Sequence, residues 1–321
     1  MNKTKVSFII PALNEEKHIK GVIDSIKKNV SGRFVYEIIV VDNGSVDRTR
    51  NIAKRRGSYV FCVPGVTISA LRNTGVAKAH GEIIGFIDAD VYLKANWGKN
   101  IDKAIEVLEH NPMTIIGSIY GLREKPTWVE RNWYKPILNK KNINYINGGH
   151  LITTKVLFEK VGGFEETLET GEDYDFCNRA RKIGTKIIND PSLEVMHEGY
   201  PKTIISFFQR ERWHGRGDYF SFGTILSSKP AMFSLAQFGV MIISLALAIT
   251  YADLLFLLIY ASFMVGLCGG SAFYRCGRIN ITLLACTFLY LVYFLARGIA
   301  FFDVVKRALY SNVRGKYHYV I

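Results

Sequence analysis

Two acidic pairs stand out for what their side chains can do: Asp88-Ala89-Asp90 and Glu172-Asp173. Carboxylates take up protons, accept hydrogen bonds and hold hard cations through oxygen. Asn14 and Glu15 follow the apolar run 6–10, Asp42 ends the run 37–41, and Asp88 and Asp90 follow the run 82–87. Three strand-like runs therefore end in carboxylates or amides. A solvated turn favours Asp and Asn as well, and Glu or Asp at a helix start also favours the dipole and the first-turn cap. Each residue alone fits those local preferences; their joint placement points to a ligand site.

The elements that must position these groups follow from periodicity. Runs 6–10, 37–41, 59–63 and 82–87 read as buried strands. Between them lie helical patterns: 19–26 with apolar residues at 19, 22, 23 and 26, a basic stretch to Arg56 that Asp47 can cap and Gly57 stops, 67–80 ending at Gly81, and 97–108. Alternating strands and helices imply an α/β fold, a mostly parallel sheet with helices on both faces. Ligands of such sheets sit outside the carboxyl ends of the strands, so Asn14, Glu15, Asp42, Asp88 and Asp90 should converge. Beyond a strand-like run at 113–121, residues 123–147 are basic, aromatic and irregular, with Trp128, Trp133 and Tyr134. Gly148-Gly149 then precedes a helix at 154–161, Gly162-Gly163 stops it, and Gly171-Glu172-Asp173 opens a helix at 174–183. In that helix Asp175 and Arg179 stand four apart, a surface pair. His197 follows the run 193–196.

Composition bounds the whole. The chain has 321 residues, net charge +13, 49% hydrophobic and 21% charged residues, which excludes wholesale disorder. The cysteines at 62, 177, 268, 276 and 286 form no CxxC pair, so neither a disulfide framework nor a structural zinc site is expected. From 231 to 274 the only charged residue is Asp253, and from 279 to 296 there is none. A crossing takes ~20 apolar residues, so 231–252 and 254–274 are expected crossings hinged at Asp253, and 279–296 a third if Arg297 snorkels at its end. The first apolar run is too short for a signal peptide, which leads us to expect the large polar domain in the cytoplasm. The basic excess suits anionic lipid; neither zinc-finger spacing nor an aromatic RNA-binding signature argues for nucleic acid.

The ordered set Pro11-Ala-Leu-Asn-Glu15, Val41-Asp-Asn-Gly-Ser-Val-Asp47, Arg72-Asn-Thr-Gly75, Asp88-Ala-Asp90, Gly148-Gly149, Gly162-Gly-Phe164, Glu172-Asp-Tyr-Asp175 and His197 resembles a family 2 glycosyltransferase with a GT-A, Rossmann-like fold. The resemblance covers roughly residues 5 to 215. It implies a nucleoside-diphosphate sugar donor and a divalent metal, Mn2+ or Mg2+, whose charge offsets the departing diphosphate. It implies Asp90 as metal ligand, His197 as a nitrogen ligand tilting the site toward Mn2+, and Asp88 near the ribose. Asp42 would accept from the imide N–H of a uracil-like base, with Pro11, Ala12 and Glu15 lining the base and ribose pocket. Arg72 would approach the diphosphate or be a surface helix charge. Gly148 and Gly149 would floor the sugar pocket or form a simple turn. Asp173, with Glu172 beside it, would be the general base of an inverting transfer, Gly171 allowing a close approach of backbone to substrate.

Gln209, Arg212 and Trp213 match the QxxRW pattern of processive synthases, where it helps hold the acceptor end and the diphosphate; the segment 204–213 also reads as an amphipathic surface helix. The expected organisation is a catalytic domain 1–203, an amphipathic interface segment 204–230, two or three transmembrane helices within 231–302 and a basic tail 303–321. The expected activity is metal-assisted transfer to a lipid-linked or membrane-proximal acceptor at the inner or plasma membrane, by a multi-pass protein with no nucleic-acid partner. A processive polysaccharide synthase and a non-catalytic nucleotide-sugar-binding module are the alternatives; no crossing is seen ahead of the catalytic domain, which disfavours the first. Three crossings put the tail outside, yet Lys306, Arg307, Arg314 and Lys316 would hold it in the cytoplasm.

Overall fold

The computed structural model describes residues 5–138, 145–219, 221–277, 279 and 281–314, the last five of these by backbone only. In chain order the elements are β1 Val6–Ala12, α1 Ile19–Val30, β2 Tyr36–Asp42, α2 Thr49–Arg55, β3 Tyr59–Cys62, α3 Ile68–Lys78, β4 Ile83–Ile87, β5 Val91–Leu93, α4 Trp97–His110, β6 Thr114–Gly117, a π-turn Glu130–Tyr134 running into α5 Lys135–Leu138, β7 His150–Thr154, α6 Lys155–Val161, α7 Glu172–Lys182, β8 Lys186–Asn189 and β9 Val195–His197. Helices α8 Ile204–Asp218, α9 Phe222–Ser227, α10 Lys229–Tyr251, α11 Leu255–Cys276 and α12 Ile281–Arg314 follow. The chain divides into two units: residues 1–124 with 140–199, and residues 125–139 with 200–318; 319–321 group with the first but lie outside the described residues. The irregular stretch expected inside the catalytic domain thus contributes the π-turn and α5 to the helical unit.

In the first unit a seven-stranded sheet runs β3-β2-β1-β4-β7-β6-β8. Strands β1 to β4 pair in parallel, β7 is antiparallel to both β4 and β6, and β6 and β8 pair in parallel. All of β1 and β4 is buried, as expected for strands covered on both faces. Helix α1 buries Ile19, Val22, Ile23, Ile26 and Val30, the 3–4 spacing of an amphipathic helix. Helix α3 lies so close to β1 that a Cβ at Gly75 would land on the Ile9 side chain. Strands β5, β7 and β8 were not anticipated, and β7 makes the sheet mixed. A separate antiparallel pair, β5 with β9, sets Val91 opposite His197.

In the helical unit, Thr203 and Ser206 form a reciprocal cap at the start of α8. Helices α10 and α11 are joined at Ala252-Asp253, where Ala252 takes a left-handed φ of 50° and Asp253 Oδ1 accepts from the Leu255 N–H at 2.8 Å. Helices α10, α11 and the 281–309 part of α12 are each long and apolar enough to cross a membrane. Helix α12 runs on to Arg314, well past the expected end at 296. The Arg314 side chain and Lys316 lie outside the described residues.

Arg297 does not snorkel: its Nη1 donates to Asp218 at 2.6 Å and its Nη2 to Glu211 at 2.9 Å, both carboxylates on α8. The buried face of α8 carries Phe207, Glu211 and Gly215. Its other face leaves Ile204, Ile205 and Trp213 exposed, so the expected amphipathic helix is packed on one side and open on the other.

Replacing Gly75 by Ala should overpack the α3–β1 contact and cost ~1–3 kcal/mol. Chemical denaturation of the purified protein checks this. Adding Ile9→Ala to Gly75→Ala should make the pair less than additive, because the second change opens the space the first requires.

Candidate active site

The loops after β1 and β2 are stitched together at the carboxyl edge of the sheet. Ala12 pairs with Asp42 in register. The Asn14 N–H donates to Ser45 Oγ at 2.8 Å, Asn14 Oδ1 accepts from the Val46 N–H at 3.0 Å, and the Glu15 N–H donates to Thr49 Oγ1 at 2.7 Å. Asp47 accepts from the Thr49 N–H through Oδ1 and from the Glu16 N–H through Oδ2, so it ties the two loops one residue ahead of the Arg48 cap. Asp42 is fully buried; its Oδ2 accepts from the N–H groups of Gly44 and Ser45 at 3.0 and 2.8 Å. Its Oδ1 is buried without a hydrogen-bond partner. A buried acceptor left open is costly, and it suits a donor brought by a ligand. Pro11 and Ala12 are buried beside it.

Arg72 sits at the centre. It is 2% exposed, so it is not a surface helix charge. Its Nη2 donates to Asp88 Oδ1 at 2.7 Å and its Nη1 to Glu172 Oε1 at 2.6 Å. Both arms of the group expected at a diphosphate are thus engaged by carboxylates. Gly148 and Gly149 pass directly over this pair: a Cβ at Gly148 would meet Arg72 Nη1 at 2.7 Å, and one at Gly149 would overlap the Asp88 carboxylate. The Gly148 N–H donates to Asp173 Oδ2 at 3.1 Å, and the Gly149 N–H to the Tyr120 hydroxyl at 2.9 Å. Tyr120 Oη in turn stands 3.5 Å from Asp88 Oδ2. Sequence reasoning missed Tyr120, and an aromatic residue in an apolar run carried no signal that could have found it.

The β5–β9 pairing brings Asp90 and His197 together, Oδ2 to Nε2 at 3.3 Å. The Glu198 N–H donates to the Asp90 carbonyl at 3.0 Å, and the Tyr120 ring lies 4.8 Å from the His197 ring. Burial alone would raise the Asp90 carboxyl, but the hydrogen bond and charge of His197, with His18 further off, hold it below the usual carboxylate range. Among the described residues no three His, Cys, Asp or Glu side chains form a ready cation cluster. The pair nonetheless fits a divalent ion that takes its remaining ligands from phosphate and water. A Cβ at Gly199 would fill the space beside Asp90 Oδ2, so the residue there leaves the cradle open. Glu15 shares this negative field: burial first, then Asp90, Asp88 and Asp47, push its carboxyl up to about 7.

Asp173 lies one residue from the Arg72 partner Glu172. Burial, then the Glu172 charge, push its carboxyl up to about 7, against the Gly148 N–H and Arg72. Tyr174 donates its N–H to Asp173 Oδ1 at 2.7 Å. Gly171 starts α7 with φ 80° and open space around it; its left-handed backbone, rather than a close neighbour, accounts for glycine there. A cavity of about 380 Å³ between Val107, Met113, Thr114 and Lys186 lies at the amino end of β6, the opposite edge of the sheet. Gln209, Arg212 and Trp213 belong to the helical unit. Gln209 is exposed, and Arg212 closes on Asp303 through two contacts of 2.6 Å.

Residues 7–160 match the family model described as Glycosyl transferase family 2. Glycosyltransferase AglE of Haloferax volcanii is 27% identical over 192 residues, 56% of this chain and 62% of its own length. Dolichyl-phosphate beta-glucosyltransferase ALG5D of Trichomonas vaginalis is 29% identical over 150 residues, 41% of this chain and 45% of its own. The chain therefore spans about half the length of the curated relatives it matches. A solved mannosyltransferase from Pyrobaculum calidifontis, in complex with GDP-Man and Mn2+, superimposes with a TM-score of 0.55 over 98% of this chain and 88% of that one at 18% identity, which is a likeness of fold.

Removing the Arg72 charge should be severe. Arg72→Met leaves Asp88 and Glu172 facing each other without a cation and should cost about 3 kcal/mol or more. Glu172→Gln keeps an acceptor for Nη1 and should cost less, so the ranking in thermal unfolding checks the brace.

Proposed function

We propose that this chain, whose residues 7–160 match the Glycosyl transferase family 2 model, is a membrane-anchored, inverting transferase of that family that moves one sugar from a nucleoside-diphosphate sugar, UDP-linked, to a lipid-linked acceptor. The observation that carries this reading is the convergence of Glu15, Asp88, Asp90, Arg72, Glu172 and Asp173 in one electrostatic neighbourhood at the carboxyl edge of the sheet. The buried Asp42 Oδ1 is the acceptor for the base N–H. Asp88, held by Arg72 and Tyr120, faces the ribose. Asp90 and His197 would hold a divalent cation, whose charge would offset that of the diphosphate. Asp173 takes the proton of the acceptor hydroxyl as its oxygen joins the anomeric carbon and the nucleoside diphosphate leaves with the bonding electrons. The Glu172 charge beside Asp173 helps hold the base near the working pH. A relative named for a dolichyl-phosphate acceptor supports the lipid side of the reading. Single transfer is favoured over processive synthesis because the Arg212 fork is closed on Asp303.

For the membrane we propose two crossings, α10 and α11, with α12 lying across the end of this hairpin at which the chain enters. Cys286, near the start of α12, contacts Cys276 at the end of α11. Phe294 packs on Phe233, Ala300 on Ala231 and Phe302 on Phe238, all in the first part of α10. A helix crossing beside α11 would carry Ala300 roughly 28 Å from Ile281, to the hairpin tip, where Ile249, Tyr251, Leu254 and Leu258 are exposed. On this reading the tail stays on the side of the catalytic domain, and the positive-inside conflict disappears.

The decisive experiment uses purified protein, UDP-sugars, Mn2+ and acceptors that carry a free sugar hydroxyl on a lipid phosphate or diphosphate. Asp173→Asn should lose about 100-fold or more in transfer while calorimetry still finds donor binding, and Asp90→Asn should lose the cation dependence of that binding. Full activity in either variant overturns its assignment, and polymer rather than a single addition overturns single transfer.

Because the base must be ionised, kcat should rise as pH rises through about 7 and level off above it. The same raised value favours the neutral acid in the fold. Its contribution to stability is full below the ordinary carboxylate range and is lost as pH rises through 7. A reporter fused behind the last residue should read the catalytic-domain side; an opposite reading restores the third crossing.

A further inference from the structure

The helical unit neutralises its arginines selectively. Arg212 closes on Asp303, and Arg297 on Glu211 and Asp218. Arg210, one turn before His214 on α8, has no carboxylate partner among the described residues. Its Nε donates to His214 Nε2 at 3.2 Å and its Nη1 to the Tyr134 hydroxyl at 3.4 Å; Nη2 has no hydrogen-bond partner among the described residues. Burial, then the charges of Arg210 and Arg297, push His214 down to about 3, so it accepts from Arg210 as a neutral ring and positions the guanidinium without cancelling its charge. The guanidinium centre stands 5.6 Å from both the Tyr134 and Tyr200 rings, which stack on each other at 4.0 Å.

The nearby carboxylates are already engaged. Glu211 binds Arg297, and Glu130 Oε2 accepts from the Thr127 N–H. A second cation without a carboxylate among the described residues, Arg275, lies 3.9 Å over the Trp133 ring and donates to the Trp133 carbonyl. Trp133 packs against Phe207, Tyr290 and Tyr293. Such an aromatic girdle is the signature of the headgroup level of a bilayer. An uncompensated, half-buried guanidinium at that depth is unfavourable by itself. It is a fitting donor to phosphate oxygens, which its planar fork matches.

We infer that Arg210 and the Tyr134 hydroxyl, positioned by His214, form a phosphate-binding site of the helical unit. This deepens the reading above and rests on it for one step only: the phosphate it would hold is that of the lipid-linked acceptor. The ligand chemistry is a phosphate monoester or diphosphate, from a lipid headgroup or free in solution.

The test is thermal unfolding of the full chain in neutral detergent with phosphatidic acid, phosphatidylcholine or inorganic phosphate, without donor. Phosphatidic acid should stabilise the wild type and phosphatidylcholine should not. Stabilisation by inorganic phosphate as well identifies the free ion as a sufficient ligand; stabilisation by phosphatidic acid alone identifies the lipid headgroup. Arg210→Gln should weaken phosphatidic acid binding roughly tenfold or more, and Arg210→Lys should restore part of it. If Arg210→Gln fails to fold, Tyr134→Phe, which keeps the ring stack and removes the hydroxyl, must still weaken the response. No shift in the wild type with any phosphate species, or equal shifts in wild type and variants, overturns the site. Transfer to a lipid-phosphate-linked acceptor with unchanged acceptor KM in Arg210→Gln sinks the site and leaves the function standing. Phosphate binding without transfer to any lipid acceptor sinks the function and leaves the site.

Discussion

A guanidinium buried between two carboxylates organises the catalytic unit. Arg72 cannot lie where it does without anions, and Asp88 and Glu172 cannot approach each other without a cation. The triad joins the end of β4 to the start of α7, elements that no hydrogen-bond ladder connects. The chain crossing over it must be Gly148-Gly149, because any side chain there would collide with the triad. That crossing delivers the Gly148 N–H to Asp173 and the Gly149 N–H to Tyr120. Asp88 and Glu172 are thus held at a set separation by one side chain, and this is what preorganisation needs.

Around that brace the acids are driven apart in proton affinity. Asp90, beside His197, is held low and stays ionised. Asp173 and Glu15, buried and crowded by other carboxylates, are held up at about 7. Groups of one chemical type thereby differ in proton affinity: one keeps its charge, another can exchange a proton near neutrality. Desolvation is the largest cause in each of these three, so the difference lies in the neighbour, an imidazole in one case and carboxylates in the others.

The helical unit applies the same rule in apolar surroundings. Arg297 stands within a long apolar helix, and α8 supplies Glu211 and Asp218 to meet it. Arg212 and Asp303 close a second bridge between the same two helices. These pairs turn an amphipathic segment into a packed partner of α12. Among the described residues they leave Arg210 without a carboxylate.

Much of this was legible in one dimension. The runs behind β1 to β4 and the 3–4 spacing of α1 and α4 are local patterns, and local patterns read directly. Strand β7 was not legible, because His150–Thr154 merges into the cap of α6; β5 is three residues, too short for a period to show. The sequence by itself determined which elements form, that acids end the parallel strands, and that apolar helices follow. Only the tertiary structure decided that Arg72 is a buried brace rather than a surface charge, because its partners lie 16 and 100 residues away. It likewise decided that Arg297 is neutralised rather than snorkelling, and that α12 returns to the foot of the hairpin. Charge compensation acts through space between residues far apart in the chain, and spacing along a single sequence carries no record of it.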